Sequence, residues 1–553
     1  MKEAEIHLGG QWVAHGPAWA RGYAFAGNRL LNAGDLAALF AGLAPADVEA
    51  TAPLLNGFFA AVRRAGGGVV AVSDRTRTYP LFYADREGGC VVSDDARWLA
   101  GRIGDASRDE ISEAEFLLAG YVTGPRTLYR RVLQLQAAEV LTGEAAGPAG
   151  VEWRGRRYYR FVHLGDLPGS QDELLAQWDS VLQRAFARFL ESIGARPIVL
   201  ALSGGFDSRL VALMLKRAGR ENVTCYSYGL PGNRESEASR EVAGRLGFRW
   251  EFVPYSLESW RGWFASEPRR AFADYVQGAA ALPVYQEWPA VWELRRRRAI
   301  SDDSVITTGY TGDFIAGAHV PLALVARGQR RIGREALMDV IWRKHLGLWS
   351  LGNLYRLRAW SLPARTLRIA LRSRVAEALG GLPCERPEDA AHALECWDWQ
   401  ERQSKFIVNA VRAFEFWGHD WRLPLWDAEL LDFWQRVPLA FRLRKSLYNA
   451  YVVREQERIA GLSVPSANPP HRGFSGQVAA ALTRLGLDRL LREGVRMARR
   501  PFYRKEYLNH PLGWYGIMTL DQFRRLYDGR QNINSYLVLE QLGLMKMPPS
   551  SRG

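Results

Sequence analysis

Pro197-Ile198-Val199-Leu200-Ala201-Leu202-Ser203-Gly204-Gly205-Phe206-Asp207-Ser208 is the stretch on which the fold turns. Its first six residues are wholly apolar, as befits a short strand buried on both faces of a parallel sheet. Two glycines follow at once, and they let the backbone turn without a Cβ in the way. A helix is then predicted over Arg209–Arg217, a second strand over Val223–Tyr228, a helix over Glu235–Leu246 and a third strand over Trp250–Pro254. Ahead of the stretch, Leu174, Leu175, Trp178, Val181, Leu182, Phe186 and Phe189 share one helical face. This alternation predicts an α/β domain built on a doubly wound parallel sheet. Beyond Ser350 the chain reads as helical additions rich in Trp and Arg.

Upstream, short apolar runs such as Gly68–Ser73 and Cys90–Ser93, with a turn at Glu87-Gly88-Gly89, read as a β-rich domain. A loop over Gly143–Gly150 and a polar stretch over Gly165–Asp172 place the boundary, giving domains over 1–160 and 170–553. A chain of 553 residues is too long for one ordinary core. Its 48% hydrophobic and 24% charged residues exclude a disordered, collagen-like or rod-like chain. Cys90, Cys225, Cys384 and Cys396 form no C-x-x-C pair, so neither a disulfide framework nor a zinc ribbon is expected. Met1-Lys2-Glu3-Ala4-Glu5 lacks the order of a signal peptide, and the apolar stretch Ile315–Val325 is too short to span a membrane. The expectation is a soluble, cytoplasmic protein with no membrane partner. A net charge of +14 raises the question of nucleic acid. The basic clusters Arg295–Arg298, Arg327–Arg334 and Arg492–Lys505 interleave with apolar residues at helical spacing, so they read as solvated helix faces and no nucleic-acid partner is expected.

The chemistry starts at Ser203–Ser208. Amides exposed at a helix start, with the two serine hydroxyls, make a nest for an anionic group. No Gly-Lys-Ser/Thr follows, so the loop is not of Walker A type. Its S-G-G-x-D-S order is similar to the pyrophosphate loop of ATP pyrophosphatases. A plain glycine turn would leave Asp207 unexplained, because a carboxylate beside phosphates is repulsive unless a magnesium ion intervenes.

Other motifs surround it. They are Leu55-Asn56-Gly57-Phe58-Phe59, Ser73–Tyr83, Gly120-Tyr121-Val122-Thr123-Gly124-Pro125, Val305–Asp313 and Arg422-Leu423-Pro424-Leu425-Trp426-Asp427. In order and spacing these resemble the asparagine synthetase family, which includes β-lactam synthetase and lasso peptide cyclase relatives. The resemblance covers roughly residues 50 to 475. It implies an N-terminal class II glutamine amidotransferase-like domain of Ntn type and a C-terminal ATP pyrophosphatase domain of the adenine nucleotide alpha hydrolase-like kind. It further implies ATP and Mg2+, with Asp207 and Asp313 as metal ligands. Leu202, Ser203, Gly204, Gly205, Ser208, Tyr228, Gly309 and Glu237 would border the nucleotide and its pyrophosphate.

Three departures from the family pattern matter. Lys2 stands where the family needs a cysteine as its processed first residue, so the amidotransferase-like domain is expected to be degenerate and without glutaminase activity. Phe314 replaces the usual acid after the metal-binding Asp313. In Asn468–Phe474, His471 and Arg472 fall where the family carries a catalytic lysine, and either could stabilise pentavalent phosphate charge as a cation; equally, the loop has drifted and no lysine is needed. Tyr310 matches the tyrosine of β-lactam-forming relatives, which works with a Glu to deprotonate an amine, and is the candidate proton acceptor if its pKa is lowered; packing beside the nucleotide is the other reading. Tyr285 and Gln286 fall in a region that lines the acceptor pocket in the family and are candidates to read a polar substrate; a Pro-bounded helix start is the other reading. His319 and His419 read as satisfied core residues. The function expected is amide-bond formation through an acyl-adenylate, with release of AMP and pyrophosphate. Its substrate is a small-molecule, glycan or peptide carboxylate: a sugar uronic acid, a peptide closed into a macrolactam, or a small β-amino acid. A tRNA-modifying pyrophosphatase and a non-catalytic partner-binding homologue are the rivals. The nitrogen source and the oligomeric state, a homodimer included, stay open.

Overall fold

The computed structural model describes residues 4–146, 150–325, 331–463, 465, 494 and 496–545. Its organising element is a five-stranded sheet in the spatial order Arg249–Pro254, Val223–Gly229, Ile198–Ala201, Val305–Thr308, Asp420–Arg422. Every neighbouring pair is parallel, with Leu200 level with Cys225 on one side and Thr307 on the other. Ile198, Val199 and Leu200 are buried, as their continuous apolar run requires. Helices Phe206–Arg217 and Arg234–Leu246 make the crossovers between the first three strands. The order therefore reverses between Ile198–Ala201 and Val305–Thr308, which is where doubly wound sheets open a ligand crevice. The fifth strand, Asp420–Arg422, escaped the sequence pattern because it is three residues long and sits in a helical surround.

The N-terminal part is a sandwich. A sheet running from Val151–Arg157 through Glu139–Ala145, Gly68–Ser73, Leu55–Ala65 and Ala18–Ala26 to Val13–His15 faces a four-stranded sheet of Glu5–His7, Gly89–Ser93, Phe82–Arg86 and Leu133–Gln134. Alternation along Leu55–Ala65 sends Phe59 and Ala61 toward helix Ala33–Gly42, where Leu36, Ala37 and Phe40 wait, and sends Phe58, Ala60 and Val62 into the main core. The sequence reading of a β-rich domain holds, with helices such as Glu110–Ala119 added.

The two parts share one core. Phe58 meets Trp421 edge-on with ring centroids 5.4 Å apart. Asp427 takes two hydrogen bonds from Arg188 (2.9 and 2.8 Å) and one from Asn56 (3.0 Å), while Asn56 accepts from the Ala428 amide. A wide, π-type turn of helix at Asp398–Ile407 completes the junction. There Lys405, fully buried with Glu401, donates to Glu401 (2.6 Å) and to the carbonyls of Val122 and Gly124. Burial lowers the Lys405 amine to about 8 against the pull of Glu401. No described helix is long and apolar enough to cross a membrane. The Arg295–Arg297 cluster is occupied by Glu293 and Asp302, in line with a solvated helix face.

Glu401→Gln strands the Lys405 charge between two carbonyls, and removing one partner of a buried pair costs ~3–5 kcal/mol. Thermal and urea unfolding should show that loss, and Glu401→Gln with Lys405→Met should recover much of it. Equal stability of the single variant and the parent would refute the junction's dependence on this pair.

Candidate active site

Ser203–Ser208 leaves the central strand as a closed loop. The Ser203 amide donates to Ser208 Oγ (3.0 Å), the two serine hydroxyls lie 3.1 Å apart, and the Gly205 amide donates to Ser203 Oγ (3.2 Å). Helix Phe206–Arg217 starts with Gly205 at its cap position and no side-chain cap, so its first amides remain for a ligand. From the neighbouring strand, Gly309–Asp313 turns directly against this loop. A Cβ on Gly309 would sit 2.3 Å from the Ser208 amide nitrogen, and one on Gly312 would sit 2.9 Å from the Asp207 carboxyl carbon. Only glycine permits that approach. Between them Thr311, a buried β-branched residue, is held at φ +80°, a strained conformation of the kind found where a turn is over-determined.

The two loops open on a cavity of about 1000 Å³ lined by Leu202, Ser203, Asp207, Ser208, Tyr228, Gly309, Tyr310 and Asp313, all expected there from the sequence. Gly204 and Gly205 form the turn itself. Glu237 does not belong: it is exposed, whereas Glu235 lines the cavity. The helix begins at Arg234, so two residues of rotation, about 200°, carry Glu237 to the far face. Phe314 is fully buried against Phe161 and Trp426, so the position of the missing acid belongs to the core. His471 and Arg472 lie outside the described residues. His419 is a core residue beside the Ser304 carbonyl, as expected. Tyr285 is buried in a neighbouring cavity rather than this one, and Gln286 lines both.

Countercharge comes from residues the sequence reading missed. Lys445 donates to Asp207 Oδ1 at 2.6 Å, reaching it from a pair of left-handed residues, Arg444 and Lys445. Burial nevertheless pushes the Asp207 carboxyl up, opposed by Lys445 and helped by Asp313. His319 corrects its reading as a core histidine. It bridges Asp313 (3.2 Å) and the buried Asp398 (2.5 Å), and those carboxylates outweigh burial to raise it to about 9. Burial opposes ionisation of Asp313 too, but His319 overcomes it and holds that carboxyl well below the usual range. Arg402, from the π-type turn, lines the same cavity.

A second cluster holds Glu287. It occupies the cap position of helix Trp288–Arg296 without capping it. Its carboxylate instead receives Tyr226 (3.4 Å) and Tyr228 (3.3 Å), with Tyr310 as a third phenol partner. Burial pushes Glu287 up to about 7, against those hydrogen bonds. Burial and Glu287 drive the Tyr310 phenol well above its ordinary value. The lowered pKa that a base role for Tyr310 would need is thus absent, and of the two groups Glu287 is the one that ionises near 7. The sequence signals for it were the Glu partner that the family resemblance implies for Tyr310, with no position attached, and an acid just before a Pro-bounded helix.

A sequence model of the family described as asparagine synthase matches residues 177–510, more than half of the chain. The chain belongs to the asparagine synthase family. It is also 44% identical over 55 residues to the GMP synthase [glutamine-hydrolyzing] of Pseudoalteromonas atlantica, a match covering 10% of each chain. Among solved structures, it is similar to an NH3-dependent NAD synthetase from Campylobacter jejuni, at 18% identity and a TM-score of 0.18 over 27% of this chain and 61% of that one. The chain thus spans about a tenth of that curated relative, and less than two thirds of the solved one.

The family's magnesium ion fits the residues present. Asp207 and Asp313 share the cavity, and the described residues contain no group of three or more ligating side chains there or elsewhere. Mg2+ takes one or two carboxylates and completes its shell with phosphate oxygens and water, which matches this sparse donor set. Gly309→Ala should wedge the two loops apart and weaken ATP binding about tenfold or more, measured by calorimetry. Unchanged affinity in a folded variant would show that the close approach does not shape the nucleotide site.

Proposed function

We propose that this chain forms amide bonds at the expense of ATP, by adenylating a carboxylate. The observation carrying this reading is the meeting of the Ser203–Ser208 loop with the Gly309–Asp313 turn, which puts Asp207 and Asp313 on one cavity. The serine loop and free helix amides would hold the β and γ phosphates. Asp207 and Asp313 would hold Mg2+, which supplies charge neutralisation on the phosphates when bound. A substrate carboxylate oxygen attacks the α-phosphorus and pyrophosphate leaves. Ammonia or an amine then attacks the acyl carbon, AMP departs, and the nitrogen loses a proton to Glu287 through the Tyr310 hydroxyl. Retention of these groups in register favours an enzyme over a non-catalytic homologue.

Glutaminase activity is not part of the proposal. The four cysteines are all buried, and burial pushes the thiols of Cys90 and Cys396 to about 11 and raises Cys225 and Cys384 as well. None is a standing thiolate at neutral pH. The N-terminal sandwich is best read as an amidotransferase-like relic, and the nitrogen as coming from solution or from the substrate.

Asp207→Asn and Asp313→Asn should each abolish magnesium-dependent AMP and pyrophosphate formation, since a lost metal ligand removes several kcal/mol of charge stabilisation. Near-parental turnover in both would sink the assignment. Tyr310→Phe keeps the ring but breaks the proton path. Carboxylate-dependent exchange of pyrophosphate into ATP should survive, while amide formation falls about a hundredfold. Amide formation should also rise with pH through about 7, where Glu287 loses its proton, and Glu287→Gln should flatten that rise. A rise unchanged in Glu287→Gln would place the base elsewhere.

A further inference from the structure

A second cavity of about 160 Å³ adjoins the nucleotide cavity, and Gln286, Tyr310 and Ile407 line both. Its walls are aromatic and aliphatic: Trp260, Phe264, Phe406, Trp514, Ile517 and Leu537. The polar groups on its walls are the side chains of Tyr285, Gln286, Tyr310 and Asn534 and the buried indole N–H of Trp514. Trp514, Ile517, Asn534 and Leu537 lie beyond residue 510, where the asparagine synthase match ends. One wall is therefore furnished by a segment outside the matched family region. That wall is held firmly. Trp260 Nε1 donates to the Leu512 carbonyl (2.8 Å), and Gly516 packs so close to Leu257 that a Cβ would fall 1.9 Å from its carbonyl oxygen.

We propose that this cavity is the side-chain subsite of the carboxylate substrate, selecting an acid that carries an uncharged apolar group of about ring size. The inference rests on the adenylation reading, because it assigns the cavity to the molecule that must be held first, before ATP is spent. An apolar cavity of about 150 Å³ takes up benzene, so a phenyl or branched aliphatic group matches the volume. A sugar ring does not match the chemistry. A pyranose ring with its hydroxyls exceeds the volume that benzene fills, and the hydroxyls turned to the aromatic and aliphatic walls would be left unpaired. Of the carboxylates considered, an acid or peptide end with an aromatic or branched side chain fits, and a uronic acid does not.

The test uses the full chain with a non-hydrolysable ATP analogue. Calorimetry compares 3-phenylpropionate and 4-methylpentanoate with acetate and glucuronate, and pyrophosphate exchange is measured for the same acids with ATP. The two apolar acids should bind at least tenfold more tightly, and Ala410→Leu, which fills the cavity, should remove that preference while ATP binding is unchanged. Ile517→Ala, which enlarges the cavity, should shift the preference toward indole-3-propionate. Equal binding of acetate, glucuronate and the apolar acids overturns the inference, as does a preference that neither variant alters. Should Ala410→Leu not fold, the presence or absence of the Ile517→Ala shift decides. Exchange that proceeds regardless of the tail refutes the subsite and keeps the adenylation reading. Selective binding of apolar acids without exchange keeps the subsite and refutes adenylation.

Discussion

The approach of Gly309 to the Asp207–Ser208 backbone is the constraint on which the site depends. It brings two strand ends of a doubly wound sheet into contact at the point where strand order reverses. It also forces two carboxylates into one partly desolvated space, where like charges raise each other's ionisation cost. The remaining architecture answers that repulsion. Lys445 arrives from the start of a helix some 240 residues of chain later, held by two left-handed residues, and His319, kept protonated by Asp398, presents a positive charge to Asp313. The helical additions supply Lys445, Arg402 and the Asp398 that charges His319, and with them the positive charge that offsets the two acids.

The π-type turn at Asp398–Ile407 ties this electrostatics to the N-terminal sandwich. Its wider register lets one segment serve several surfaces. Asp398 and Arg402 turn to the site, while Glu401 and Lys405 bind the Val122–Gly124 loop of the N-terminal part. Asn56, in a motif that drew attention from sequence, is engaged with Asp427 and Ala428 and acts as a latch. Arg374 repeats the pattern by reaching Asp109 and Glu115. A sandwich fixed by these charge and amide contacts buttresses the parallel sheet.

Local features were legible in the sequence, and long-range ones were not. The apolar run Ile198–Ala201 and its glycine turn identified the sheet, because a buried parallel strand and a tight phosphate loop each demand a residue pattern within a dozen positions. Asp207 followed from the same local logic, while Asp313 and Gly309 came from the resemblance of their glycine turn to the asparagine synthetase family. Lys445, His319 and Glu287 did not, since their roles arise from partners between 6 and 238 positions away and a lone Lys, His or Glu has no periodicity to betray it. Glu237 failed for the converse reason. The motif region was right, but Glu235 lines the cavity, and the two residues of helical rotation that separate it from Glu237 decide which side chain faces it.

The site finally separates two kinds of carboxylate by environment alone. Asp313 is surrounded by His319, Lys445 and Arg402 and stays ionised, which suits a group that must meet a cation and phosphates. Glu287 is surrounded by the phenols of Tyr226, Tyr228 and Tyr310 and is poised near 7, which suits a group that must take up a proton. Pairs of acids whose surroundings pull their pKa values apart are how one cavity runs two chemistries. Tyr310 lies three residues before Asp313, bonds to Glu287 and lines the apolar chamber as well. On the proposed reading, activation of the acid, recognition of its side chain and deprotonation of the nitrogen would converge on one phenol ring. The turn carrying it is built from two crowded glycines and a strained threonine, so any relaxation of the turn would move the Tyr310 ring and the Asp313 carboxylate together.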